Sequence, residues 1–166
     1  NVAEPYDSGE FVIDVTAPQV SIDGVANSTA YAGDLAPSAS FSDTNLDPLG
    51  SGTELVGART GNAYFDGEYE QSTATDMRTG FADVPAEPRY DDVYTYTATG
   101  MDLAGNTTIE TVRFSVNRFG STYYLTGDSD DIVGAYLRQP RDVQVVEVNV
   151  SGLDTSASRV SLATDD

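Results

Sequence analysis

The chain contains no cysteine, histidine, lysine or tryptophan, and each absence removes a chemistry. Without cysteine there is no disulfide, no thiolate metal site and no thiol nucleophile. Without histidine there is no imidazole base or imidazole metal ligand, and without lysine no Schiff base. Carboxylates remain, and glycoside hydrolysis needs two of them across a sugar, one with a raised pKa. With 27 acidic residues among 166, chance pairs are certain to arise, so their abundance marks no active site. No glycine-rich phosphate loop follows a strand pattern, and a serine without its base makes no triad. The composition predicts a protein that is not an enzyme.

Positive charge is also scarce. The eight basic residues are all arginine, and the net charge is −19. Such a field repels phosphate backbones and anionic lipid heads, which argues against nucleic acid and membrane surfaces as partners. No apolar run approaches the roughly 18 residues of a membrane span. Neither a signal peptide nor an anchoring tail is recognisable, and a chain beginning at Asn1 reads as an excised piece. The acid either only solubilises the protein or, where carboxylates cluster, gathers divalent cations.

Helical periodicity is nearly missing. Residues 128–137 offer the best candidate: helix-capping residues and acids come first, and Pro140 follows. That pattern predicts one or two helical turns. Strand patterns are plentiful. Val20 and Ile22 alternate with polar neighbours after Pro18, as do Ala39 and Phe41 among serines. Residues 53–58 and 63–69 read as short strands, with Asp66-Gly67 as a competing tight turn. The clearest hairpin spans 93–116: Tyr94, Tyr96 and Ala98 alternate with threonines, and Val112, Phe114 and Val116 share one face of the return strand. Between them, Asp102-Leu103-Ala104-Gly105-Asn106 supplies a glycine for positive φ and an aspartate that can accept backbone N–H bonds.

About seven short strands between Thr16 and Asn117, with turn signals roughly every ten residues, predict an all-β antiparallel sandwich over residues 14–117. Residues 1–13 read as the end of a preceding segment and 118–142 as a linker carrying the helical turn. Residues 143–166 read as an incomplete β segment with strands at 143–150 and 159–163. Two strands cannot bury a core alone. This segment is expected to pack on the sandwich, to open a further module, or to self-associate through its unpaired strand.

Three segments in order carry a resemblance. They are Phe11-Val12-Ile13-Asp14-Val15-Thr16-Ala17-Pro18, then Tyr31-Ala32-Gly33-Asp34 with Phe41-Ser42-Asp43-Thr44-Asn45, then Tyr94 to Thr99 running into Asp102-Leu103-Ala104-Gly105-Asn106-Thr107-Thr108. Over about two thirds of its length the chain resembles the bacterial immunoglobulin-like repeats of large Gram-positive surface proteins and adhesins. Val116-Asn117-Arg118-Phe119-Gly120-Ser121 resembles the junction that follows such repeats. The resemblance implies an extracellular, secreted or cell-wall-associated protein of several modules acting as stalk or adhesive surface. Its partners would be neighbouring modules of the same polypeptide, or a host or glycan ligand. Some members of this group bind calcium near the module boundary; the matching positions here are Asp14, Asp102 and Asn106. The competing reading is that Asp14 and Asp102 only satisfy backbone donors in turns. Pilin and adhesin sandwiches of this kind often carry a Lys–Asn isopeptide bond, which a segment without lysine cannot form.

Two further patterns remain. Asp43, Asn45, Asp47 and Glu54 fall at positions one, three, five and twelve of a calcium-loop spacing, but Pro48 stands where that loop needs glycine. The pattern therefore reads as an acidic loop. Residues 63–70 mix aromatics with acids, so Tyr64, Phe65 and Tyr69 are candidates for stacking on a sugar, against a reading as a strand with its aromatics in the core. A glycan- or matrix-protein-binding module is the alternative function, and an accessory domain of a secreted glycoside hydrolase is a third.

Overall fold

The computed structural model describes residues 9, 11–62, 69–81, 84–120, 122–150 and 152–161. The fold is built from strands, with 3-10 turns at Pro88–Tyr90 and Gly127–Ile132 as its helical elements. The strands are β1 (Gln19–Asp23), β2 (Thr29–Tyr31), β3 (Ser38–Ser42), β4 (Gly52–Gly57), β5 (Gly61–Asn62), β6 (Tyr69–Ser72), β7 (Asp76–Gly80), β8 (Asp92–Met101), β9 (Thr107–Val116), β10 (Thr122–Leu125) and β11 (Val145–Val148).

Two sheets share one core. The first has the order β1-β3-β7-β6, the second β2-β9-β8-β4-β5. Period-two alternation makes each sheet one-sided. In β8 the even-numbered residues Tyr94, Tyr96 and Ala98 are fully buried, while the threonines between them are half-exposed. Phe41 and Met77 from the first sheet meet Tyr94, Tyr96, Leu55 and Phe114 from the second in one hydrophobic cluster. The ring pairs are tilted or edge-on, as aromatic quadrupoles prefer: Tyr94–Phe114 at 5.6 Å and Tyr31–Phe114 at 6.2 Å between centroids. The result is sandwich-like.

The expected hairpin is present as β8–β9, in register from Asp92 opposite Val116 to Met101 opposite Thr107. β1, β3 and β4 lie where alternation placed them. Several expectations need correction. The sandwich is not purely antiparallel, because β2 pairs parallel with β9. The turn expected at 128–137 is a 3-10 helix confined to Gly127–Ile132. Residues 159–161 form no strand. β10 arises within the stretch expected to be linker, and it pairs with β11 as a separate two-stranded sheet. Residues 63–68, with the Asp66-Gly67 turn, lie outside the described residues.

Candidate functional site

Three acidic side chains from three separate segments converge where β8 ends. Asp102 follows β8, Asp43 follows β3, and Asp14 sits in the segment that leads into β1. One carboxylate oxygen from each lies within 4.8 Å of the others. Backbone hydrogen bonds bring the loops together: Leu103 N–H donates to Asn45 O at 2.8 Å, and Asp47 N–H to Met101 O at 2.8 Å. Gly105, at φ 89°, lets the hairpin loop curl so that Asn106 closes on Asp102. Positive φ is strained for any side chain with a Cβ.

Asp102 is almost fully buried and Asp14 and Asp43 are half-buried. Asp102 Oδ1 accepts the N–H groups of Ala104 (2.9 Å) and Asn106 (2.8 Å), and its Oδ2 accepts Asn106 Nδ2 at 2.7 Å. Burial alone raises its pKa. The donors from the Asn106 side chain and from the Asn106, Ala104 and Gly105 backbone outweigh burial and hold it below the usual value. Asp14 Oδ1 accepts Thr16 N–H at 3.0 Å and its Oδ2 accepts Asn45 Nδ2 at 3.1 Å. Asp43 Oδ1 accepts Asn45 N–H at 2.8 Å.

Of the residues singled out for a cation, Asp14 and Asp102 meet. Asn106 joins them differently. Its amide nitrogen faces Asp102 and also donates to Asp14 O at 3.1 Å, so as placed it straps the incoming segment to the hairpin and does not offer an oxygen. Asp43 is the third carboxylate, absent from the predicted ligand set. Its signal lay in the calcium-loop spacing, of which Asp43 and Asn45 reach the cluster. Asp47 instead accepts Leu49 N–H, and Glu54 lies on exposed β4 positions. The donor set fits a hard divalent cation: three carboxylates from independent loops, already gathered, whose mutual repulsion such an ion would neutralise.

At the opposite end of β8, Asp91 and Asp92 fasten other segments. Asp91 accepts Arg118 N–H (3.1 Å) and Phe119 N–H (2.7 Å). The Arg118 guanidinium donates to Val84 O at 2.6 Å and Gly33 O at 3.0 Å. Asp92, fully buried, takes Thr60 N–H (2.9 Å), Thr60 Oγ1 (3.0 Å), Arg59 N–H (3.0 Å) and Val93 N–H (2.7 Å). Nearby, Tyr94 Oη donates to Tyr90 O at 2.7 Å. Burial first, and the Asp92 carboxylate second, push this phenol's pKa up, so it stays a donor. Sequence patterns gave no sign of the clasps of Thr60 on Asp92 and of Arg118 on Asp91, because they join residues about 30 positions away to a carboxylate among many.

Of the aromatic candidates, Tyr64 and Phe65 lie outside the described residues, and Tyr69 opens β6. A groove of about 560 Å³ runs along β1, β3, β7 and β6, lined by Val20, Phe41 and Met77 as well as Ser40, Gln71 and Arg78. No family model matches this chain, and no curated protein matches it either.

Proposed function

We infer that this chain is a non-catalytic immunoglobulin-like module, a spacer within an extracellular bacterial surface protein, braced by calcium where the preceding segment joins it. The observation that carries this reading is the placement of the two junctions. The incoming segment is strapped at the Asp102 end of β8 and the outgoing segment is clasped by Asp91 at its other end. Ten strand residues separate them, about 30 Å at the usual rise. A chain that enters at one end and leaves at the other suits an in-line element of a stalk.

Two observations support the immunoglobulin-like assignment. Strand order β1-β3-β7-β6 against β9-β8-β4 corresponds to that of the immunoglobulin sheets, with β2 beside β9 and β5 beside β4 as extra strands. The Tyr94–Tyr90 bond lies at the corner before β8, where such domains place a tyrosine bonded back to the chain upstream. Tyr96, two residues on and fully buried, stands where antibody domains put a cysteine.

The deciding measurement is thermal unfolding in chelator and in calcium at matched ionic strength. A cation bound at a hundredfold excess over its Kd adds about 2.7 kcal/mol, so Tm rises, and Asp43→Asn loses most of the rise. An unchanged Tm would remove calcium and leave a plain spacer. The groove along β1, β3, β7 and β6, with apolar and polar side chains side by side, supports a second reading, a glycan- or matrix-protein-binding module. Saturable binding on an array that Arg78→Ala abolishes would establish that reading over the spacer.

A further inference from the structure

Among the described residues, the outer edge of β11 in the two-stranded sheet β10–β11 is unpaired, and its polarity is defined. Thr126 N–H donates to Gln144 O at 3.2 Å, and Gln144 N–H donates to Ser129 Oγ at 2.8 Å, so the backbone of Gln144 faces β10. Antiparallel ladders alternate. Val146 and Val148 therefore also turn their polar groups toward β10, while Val145 and Glu147 turn theirs away; continued ahead of β11, the same alternation would turn those of Val143 outward. Among the described residues no other strand pairs with β11. Val143 and Val145 on this edge are 46% and 37% exposed.

We propose that this edge pairs with the same edge of a second copy of the chain, forming an antiparallel four-stranded sheet β10-β11-β11-β10 about a two-fold axis. The pattern Arg141-Asp142-Val143-Gln144-Val145-Val146-Glu147 is self-complementary when reversed. In one register Val143 of one copy lies opposite Val145 of the other, and Arg141 opposite Glu147. The two-fold axis makes each pairing twice. A shift by one pair sets Val143 against Glu147, and centring on Glu147 sets two carboxylates face to face. Opposite charges directly across a ladder stabilise it and like charges oppose it, so charge selects the first register.

Pairing extends the ladder into residues 141–144 and satisfies the outward N–H and C=O groups. It also converts a hairpin-sized sheet, marginal alone, into four strands. The proposal is independent of calcium and of the spacer reading.

Sedimentation velocity of the 166-residue chain over a wide concentration range is the test. A monomer–dimer equilibrium is expected. Arg141→Glu sets like charges opposite each other twice and moves its midpoint upward about tenfold. The double variant Arg141→Glu with Glu147→Arg restores it, which a folding defect would not do. Val145→Pro removes an outward N–H without touching the β10 ladder and leaves only monomer. A monomer at every concentration, or a dimer indifferent to the charge reversals, overturns the proposal.

Discussion

At the scale of single residues, the chain handles its excess of acid by turning carboxylates into acceptors. Asp91, Asp92 and Asp102 are all buried, and backbone N–H groups satisfy each. An ionised carboxylate held by several donors keeps its charge on burial, since the donors compensate for lost water. For Asp102 the sign of the pH dependence follows. Its folded pKa is depressed, so its contribution is fully present above the unfolded value near 4 and is lost as pH falls through the folded value. Acid titration of Tm should fall more steeply for the wild type than for Asp102→Asn below about pH 4. Parallel curves would show that the carboxylate is not held as described. None of this was legible from composition, which could only count the acids. Asp102 and Asn106 stood out because their hairpin motif is local, whereas Asp43 needed a loop from another strand to reveal its role.

At the scale of elements, what could be read depended on length and contrast. β8 and β9 run ten residues each, with apolar and polar residue types alternating over Tyr94 to Thr99 and Val112 to Val116, and they formed where that pattern placed them. β2 is three residues long, and β7 (Asp-Met-Arg-Thr-Gly) carries one large apolar side chain. Both escape a period-two reading and exist because neighbours supply their hydrogen bonds. Residues 159–161 show the converse: a β-like sequence remained without a ladder. The β8–β9 loop is the element most exposed to a single change. Gly105→Ala places a Cβ at φ 89° and should cost about 1–2 kcal/mol, read as a lower denaturation midpoint at unchanged m-value. It should also weaken any calcium effect, because the same curl brings Asn106 and Asp102 together. A variant as stable as the wild type would mean the loop tolerates another conformation.

At the scale of the whole molecule, a charge of −19 works against compaction. Raising monovalent salt from about 0.01 M to about 0.15 M shortens the screening length from about 30 Å to about 8 Å. That should raise Tm by about 4 °C, corresponding to about 1 kcal/mol in a domain of this size. A Tm insensitive to salt would place the acids too far apart, or too well paired with donors, to strain the fold. The sequence by itself determined the class of the fold and the excluded chemistry, because alternation and composition act locally and need no partner to be read. It also located the long hairpin and its aspartate-bearing loop. Only the tertiary structure decided which carboxylates meet, that β2 joins its sheet in parallel, and that the segments before β1 and after β9 are held at opposite ends of β8. Those outcomes depend on loop closures between residues tens of positions apart, where many aspartates are chemically equal until packing brings a few of them together.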